Sequence, residues 1–376
     1  MVIVYMLTSL GMGGAERQVL GLAMRMADRG HAVKLVVLRP ALAEQWPTAL
    51  PVIHLDMRRS PASVMKGFYR AARFLRGYRP DFVHSHTFHA NIVARLLRIF
   101  VPAAVVLSTV HNVYEGGPHR MIAYRLTDFL CKRTTAVSAV AAERYVQLKA
   151  VPRHKCVVVT NGIETAHFLS NSARRMKMRT DMDAMDKFVW LTAGRLAPAK
   201  DIPNLLAAFK TVRATHPDVE LWIAGEGNPT GEKQVAAFCV EHGSLEHVRW
   251  LGLRRDLPAL LDAADGFVLA SAWEGMPLVV GEAMAMEKPV VATDVGGVHE
   301  LMGEAGMLAP AKNPEALAAA MLVLMRSSFE ARQKLGRAAR VRIEDYFSIE
   351  ARAQQWESLY RTLFEYHRDR TIARDG

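Results

Sequence analysis

Short apolar, β-branched runs alternate with amphipathic stretches from one end of the chain to the other. The pattern predicts strands at Val2–Leu7, Val33–Leu38, Phe82–Ser85, Ala104–Thr109 and Cys156–Thr160. It predicts a second series at Phe188–Ala193, Glu220–Ala224, Val248–Leu251, Gly266–Ala270 and Pro289–Thr293. Between them, stretches such as Glu16–Arg29 and Ile202–Thr215 carry apolar residues at helical spacing. Strands alternating with helices of about 10–15 residues build βαβ units and parallel sheets, so the expected class is α/β with two doubly wound, Rossmann-like domains. The apolar pattern lapses over residues 165–187, where SNSARRMKMRTDMDAMDK reads as a polar linker. The expected domains are therefore 1–168 and 169–359. Ligands of such sheets bind beyond the carboxyl ends of the strands, so two facing domains would enclose a cleft. The last helical pattern, from Ile349 with Trp356, Leu359, Tyr360 and Leu363, belongs to neither sheet by order. Its end, about 360–376, is expected to pack on the first domain.

Composition narrows the class. The chain of 376 residues is 51% hydrophobic and 23% charged, which excludes a disordered protein. Its three cysteines, Cys131, Cys156 and Cys239, lack metal-site spacing, and so sparse a set fits a reducing compartment. The first strand begins at once, without a basic leader, and the longest candidate span, 91–110, is broken by Arg95, Arg98 and Pro102. A soluble or peripheral protein of the cytoplasm is expected. The formal net charge of +11 is uneven: residues 1–170 hold 22 Lys and Arg against 9 Asp and Glu, and the rest is nearly balanced. Such asymmetry calls for a polyanionic partner, nucleic acid or an anionic membrane. No nucleic-acid reader motif is present, whereas Lys66, Arg70 and Arg73 lie at helical spacing among aromatic residues in 57–80. An anionic membrane surface is the expected partner, and nucleic acid is not.

The densest chemical signal is WEGMPLVVGEAMAMEKPVVATDVGG at 273–297. Glu274 and Glu282 stand eight positions apart around a Gly275-Met276-Pro277-Leu278 turn that follows a strand and opens a helix. At about 100° per residue both carboxylates face one side. Pro277 is expected in the first helical turn, with amides near Gly275 and Met276 at the helix N-terminus as a diphosphate site. Carboxylates beside a phosphate cradle suit a nucleotide-sugar. In TAGRLAPAKDIPNLLAAF, 192–209, Arg195 and Lys200 flank a turn at a strand end, where a pyrophosphate would be neutralised. In SLGMGGAERQVLGLA, 9–23, Gly13 and Gly14 precede the first helix, where backbone can approach a ligand. Neither this loop nor the one from Gly225 to Thr230 has dinucleotide-fingerprint spacing. His84, His86 and His89 imitate a metal cluster without a further ligand at useful spacing, and Asp181-Met182-Asp183 falls in the linker. No metal site is expected.

Taken in order, GGAE, GRL-x3-KD, AGEG and E-G-x-P-x7-E resemble glycosyltransferase family four, retaining enzymes of the GT-B fold, over nearly the whole chain. The resemblance implies that Glu282 binds the ribose and Glu274 the donor sugar, with Arg195 and Lys200 on the diphosphate and the Gly13-Gly14 loop closing over it. His111, in STVHN, matches the family histidine near the transferred sugar. The base would lie against Gly225-Glu226 and the strand near Trp250-Leu251. His299 stands where many relatives carry proline. The implied reaction is transfer of a hexose or N-acetylhexosamine, with retention and without a metal, from a nucleotide-diphosphate sugar. UDP is the expected nucleotide, and the donor is a co-substrate rather than a resident cofactor. The expected acceptor is a lipid-linked or oligosaccharide glycan at the inner face of the cytoplasmic membrane. A nucleotide-sugar epimerase of the same fold lacks the GGAE loop, and a phosphorylase would need a much larger chain.

Overall fold

The computed structural model describes residues 1–43, 46–102, 104–227, 233, 237 and 247–375, with side chains described as far as Tyr366. Residues 228–230 of the glycine loop and Cys239 lie outside the described residues. The chain divides into two units, Met1–Gly162 with Ile349–Gly376, and Ile163–Ser348. The crossings thus fall somewhat before the boundaries near 168 and 360 that the sequence pattern led us to expect.

The first unit is a seven-stranded parallel sheet: β1 Val2–Leu7, β2 Ala32–Val37, β3 Val52–His54, β4 Phe82–His86, β5 Val105–Val110, β6 Arg133–Ala136 and β7 Cys156–Val158, in the order β3-β2-β1-β4-β5-β6-β7. Its helices are α1 Gly14–Asp28, α2 Pro61–Tyr78, α3 Phe88–Leu97, α4 Pro118–Thr127 and α5 Ala139–Gln147. Alternate residues of each strand serve different cores. Ile3, Tyr5 and Leu7 pack with α1 and with Trp356 and Tyr360 of the returning C-terminal helix. Val4 and Met6 pack with α2 and α3, and Val110 and Ala136 pack with α4 and α5. One side of the sheet therefore carries α2 to α5, and the other carries α1 with the C-terminal helix.

In the second unit the described strands, all parallel, run β10-β9-β8-β11-β12-β13. They are β8 Phe188–Ala193, β9 Val219–Ala224, β10 Val248–Gly252, β11 Gly266–Leu269, β12 Val290–Thr293 and β13 Met307–Ala309. This is the GT-B architecture of two Rossmann-like units, with a C-terminal helix, Ile349–Asp375, returning to the first.

The expected linker contains a helix, Ser172–Asp181, capped by the Asn171 side chain on the Arg174 amide. Its polarity is its packing chemistry. Arg175 donates to the carbonyls of Asp262, Ala263 and Ala264 at 2.7–3.0 Å, covering the orphan carbonyls that end the helix Leu257–Ala263. Arg175 and Arg179 both pair with Asp265, and Arg174 with Asp262. Lys288 adds its ammonium to the carbonyls of Asp262 and Ala264, and burial pulls its pKa from 10.5 to about 8. Asp181 ends this helix and pairs with Lys177, and Asp183 follows with φ +45°.

Candidate functional site

Strand order in the second unit reverses between β8 and β11, and the loops leaving these two strands meet there. Gly194 and Gly225 end neighbouring strands, with Gly194 N bonded to Ala224 O at 2.9 Å and Gly225 N to Gly252 O at 2.8 Å. Gly225 has φ +151°, and a Cβ there would lie 1.9 Å from Gly194 O, so only glycine fits. After Gly194 the exposed Arg195 leads into a single 3-10 turn, Pro198–Lys200. Asp201 then takes φ +44° and the helix Ile202–Thr215 begins. This bend aims Lys200 Nζ at Glu274 Oε1, 2.5 Å away. Ser271 donates to the same oxygen at 2.7 Å, and Thr293 donates to the Ser271 carbonyl at 2.6 Å. Ala272 N bonds to Ala199 O at 2.8 Å, tying the two loops by backbone as well. A small pocket lined by Gly194, Lys200, Ile223, Ala224 and Leu269 opens at this junction.

The Glu274 turn is held from behind. Gly297 N donates to Gly275 O at 2.8 Å, and Gly296, at φ +56°, would place a Cβ 2.0 Å from Glu274 O. Pro277 is the cap residue, extended at ψ 112°, and the helix runs Leu278–Ala285. The first helical amide is therefore that of Leu278, and the expected placement of Pro277 within the first turn is corrected by one position. Gly275 accepts a bond through its carbonyl, and Met276 and Leu278 bury their side chains in the unit. Glu274 is 9% exposed and Glu282 1%, so neither is the solvated surface glutamate that an isolated E-x7-E spells. Glu226 is exposed and passes its carbonyl to Leu196 N at 3.0 Å, and Leu251 is half-buried on the strand beside β9. Sequence reasoning overlooked Ser271, Thr293 and Gly296, which orient Glu274. A serine, a threonine and one more glycine carry no spacing signal of their own.

In the first unit the strand ends converge in the same way. Thr8 and Thr87 share a hydrogen bond of 2.7 Å where β1 and β4 end. Gly13 caps α1, with its carbonyl accepting from Trp46 Nε1 at 3.3 Å, and Gly14 is the first helical residue. His111 follows β5, with Nε2 3.0 Å from His86 Nδ1. Of the three histidines in the H-x-H-x-x-H run, His84 spends both ring nitrogens on Tyr360 (2.6 Å) and Thr109 (2.7 Å) and is a core residue. Among the described residues no group of three His, Cys, Asp or Glu is placed to hold a metal ion. Burial lowers His111 from 6.5 to about 4 and His84 and His86 well below 6.5, the latter two also repelled by neighbouring histidines. Burial also raises Glu115, which accepts from Tyr124 at 2.8 Å.

These histidines make the unit acid-sensitive. Each is neutral when folded but takes up a proton near pH 6.5 when unfolded, so the unfolded chain binds more protons below that pH. Stability is fully present above pH 6.5 and is lost as pH falls toward 4. The thermal midpoint of the first unit should hold from pH 8 to 7 and drop by several degrees at pH 5, as calorimetry in matched buffers can check. A midpoint flat from pH 7 to 5 would contradict neutral buried histidines.

Residues 187–327 match the family model for glycosyl transferases group 1, and residues 12–167 match glycosyltransferase family 4. A glycogen synthase of Mycobacterium tuberculosis is 30% identical over 301 residues, 76% of this chain and 69% of that protein. The UDP-Gal:alpha-D-GlcNAc-diphosphoundecaprenol alpha-1,3-galactosyltransferase of Escherichia coli is 27% identical over 243 residues, 62% of each chain. The crystal structure of Anabaena Alr3699/HepE in complex with UDP and glucose superposes with a TM-score of 0.85 at 19% identity, covering 95% of this chain and 98% of that one. Two Rossmann-like units and these matches define a GT-B glycosyltransferase. The chain belongs to glycosyltransferase family four.

Proposed function

We propose that this glycosyltransferase moves a hexose or N-acetylhexosamine from a UDP-sugar to a lipid-linked or oligosaccharide acceptor, with retention and without a metal. The observation that carries the reading is the Lys200–Glu274 pair, 2.5 Å apart beside a pocket at the switch point of the second unit. A donor diphosphate placed there meets the Lys200 ammonium and the Arg195 guanidinium. Glu274 then accepts from hydroxyls of the transferred sugar, and Glu282 from those of the ribose. As the bond from the anomeric carbon to the β-phosphate oxygen breaks, negative charge grows on UDP and these two cations stabilise it. The acceptor oxygen bonds to the anomeric carbon on the face that UDP leaves, and its proton passes to the departing phosphate. Within the second unit the base rests on Gly225-Glu226 and Leu251.

UDP is favoured by the Anabaena neighbour, solved with UDP and glucose, and by the Escherichia coli relative, named for UDP-Gal. That relative's diphosphoundecaprenol acceptor supports a lipid-linked glycan. No described helix is long and apolar enough to cross a membrane. Contact with such an acceptor is made peripherally on the cytoplasmic face, a reading supported by the basic excess of residues 1–170. Millimolar UDP should raise the thermal midpoint, and GDP and ADP should not. Stabilisation by GDP or ADP instead would overturn the nucleotide. Turnover should survive EDTA, because two basic side chains supply the positive charge. Activity abolished by EDTA and restored by Mg²⁺ or Mn²⁺ would refute the metal-free reading.

A further inference from the structure

Half of the charge excess of the first unit lies in one helical layer. Helices α2 to α5, all on one side of the sheet, carry eight Lys and Arg, Arg95 among them buried, against a single acidic residue, Glu143. On the other side, α1 and the C-terminal helix together carry seven of each sign. Packing within a sheet gives no reason for such segregation, and an anionic surface facing that layer does.

The same layer is apolar where a soluble helix should be polar. In α4 and the 3-10 turn that extends it, Asp128–Leu130, the side chains of Ile122, Leu126 and Phe129 are 56%, 68% and 75% exposed. Their spacing of four and three residues sets them in one stripe along the outer face, with exposed Arg125 beside it. The inner face is fully used: Tyr124 is buried, accepts from Asn91 at 2.9 Å and packs edge-on against Tyr145. The acids nearby do not offset the charge, since Asp128 pairs with Lys155 at 2.9 Å and Glu143 with Arg153 at 2.8 Å. Helix α2 of the same layer also exposes Met65 and Tyr69, while its Arg70 is tied to Asp56 and to the carbonyls of His54 and Leu55.

We infer that Ile122, Leu126 and Phe129 insert into an anionic bilayer while the basic residues of α2, α4 and α5 lie at its headgroups. This rests on the peripheral-membrane reading above and assigns that reading its anchoring element. Apolar burial holds the stripe and charge holds the layer, so the two contributions differ in salt dependence.

The test is flotation of the full chain with vesicles containing phosphatidylglycerol, at low and at physiological salt. Replacement of Lys66, Arg70 and Arg73 by glutamine should weaken binding about a hundredfold at low salt and less at physiological salt, where charges are screened. Ile122→Ser, Leu126→Ser and Phe129→Ser together should weaken it by at least about a hundredfold at both. The single change Phe129→Ala, at a largely exposed side chain, should give about tenfold with an unchanged thermal midpoint. Serine and alanine variants that float like wild type overturn the inserted stripe and leave peripheral binding standing. Wild type that does not float at low salt overturns both. Wild type that sediments as a dimer, which the serine variant dissolves, makes the stripe a contact between copies and also overturns the inference.

Discussion

Lys200→Ala is expected to lower turnover with a UDP-sugar by on the order of 10²–10³, the scale for losing one preorganised charge-stabilising donor. Its ammonium sits 2.5 Å from Glu274 Oε1, and that carboxylate is nearly closed to solvent. Removing the lysine therefore acts twice: the leaving diphosphate loses a cation, and Glu274 keeps, among the described residues, Ser271 as its side-chain donor. Arginine should not rescue the site, because a planar fork cannot replace a point charge on a turn this tight. Glu274→Gln retains an acceptor for Ser271 and loses the ion pair, so it should cost less than Lys200→Ala. The double variant should fall well short of the product of the two single effects, as coupled neighbours do. Arg195→Ala should cut turnover with little change in midpoint, since that side chain is exposed. Glu282→Ala should weaken donor binding. Lys200→Ala with near-full turnover would show that the pair takes no part in transfer and that the donor binds elsewhere.

The parts of this molecule that can be read from sequence are those where one periodicity acts alone. Phe188–Ala193 is buried on both faces, so its apolar run marks the strand to the residue. Three strands went unseen because they are short or polar: Val52–His54, Arg133–Ala136 and Met307–Ala309. In Arg133–Ala136 the buried threonines bond across the sheet, as Thr135 does to Thr109 at 2.6 Å, so polarity there does not mean solvent. The helix Ser172–Asp181 was hidden for a related reason: its arginines are spent on one helix end and two aspartates, contacts that no local window contains. Within the candidate site, Glu274 and Glu282 were legible as candidates because they flank a strand–turn–helix junction, and Lys200 because it shares a loop with Arg195 after a strand. Ser271, Thr293 and Gly296 were not, since their part is to hold Glu274 in place and depends on loops distant in sequence.

Trp356→Ala is expected to cost the first unit about 3–5 kcal/mol, the range for emptying a buried aromatic site. The side chain is 3% exposed and lies 4.5 Å from the His84 ring and 5.8 Å from Tyr360, centroid to centroid. It covers the side of the sheet that α1 leaves open, where Ile3, Tyr5, Phe82 and Leu107 contribute to the same core. This C-terminal helix cannot relax into the gap easily. Tyr360, one turn on, is pinned by hydrogen bonds to Tyr5 at 3.0 Å and His84 at 2.6 Å, and Arg25 and Arg29 pair with Glu350 and Glu357 along its edge. For a unit of this size the loss corresponds to a midpoint drop of roughly 10 °C. Tyr360→Phe should cost less, about 1–3 kcal/mol, because packing is retained while the His84 nitrogen loses its partner. Differential scanning calorimetry with and without UDP separates the units: UDP should stabilise the second, and Trp356→Ala should lower only the first transition. A midpoint within about 2 °C of wild type would mean that the helix rests on the sheet without completing its core, and that residues 1–162 hold together without it.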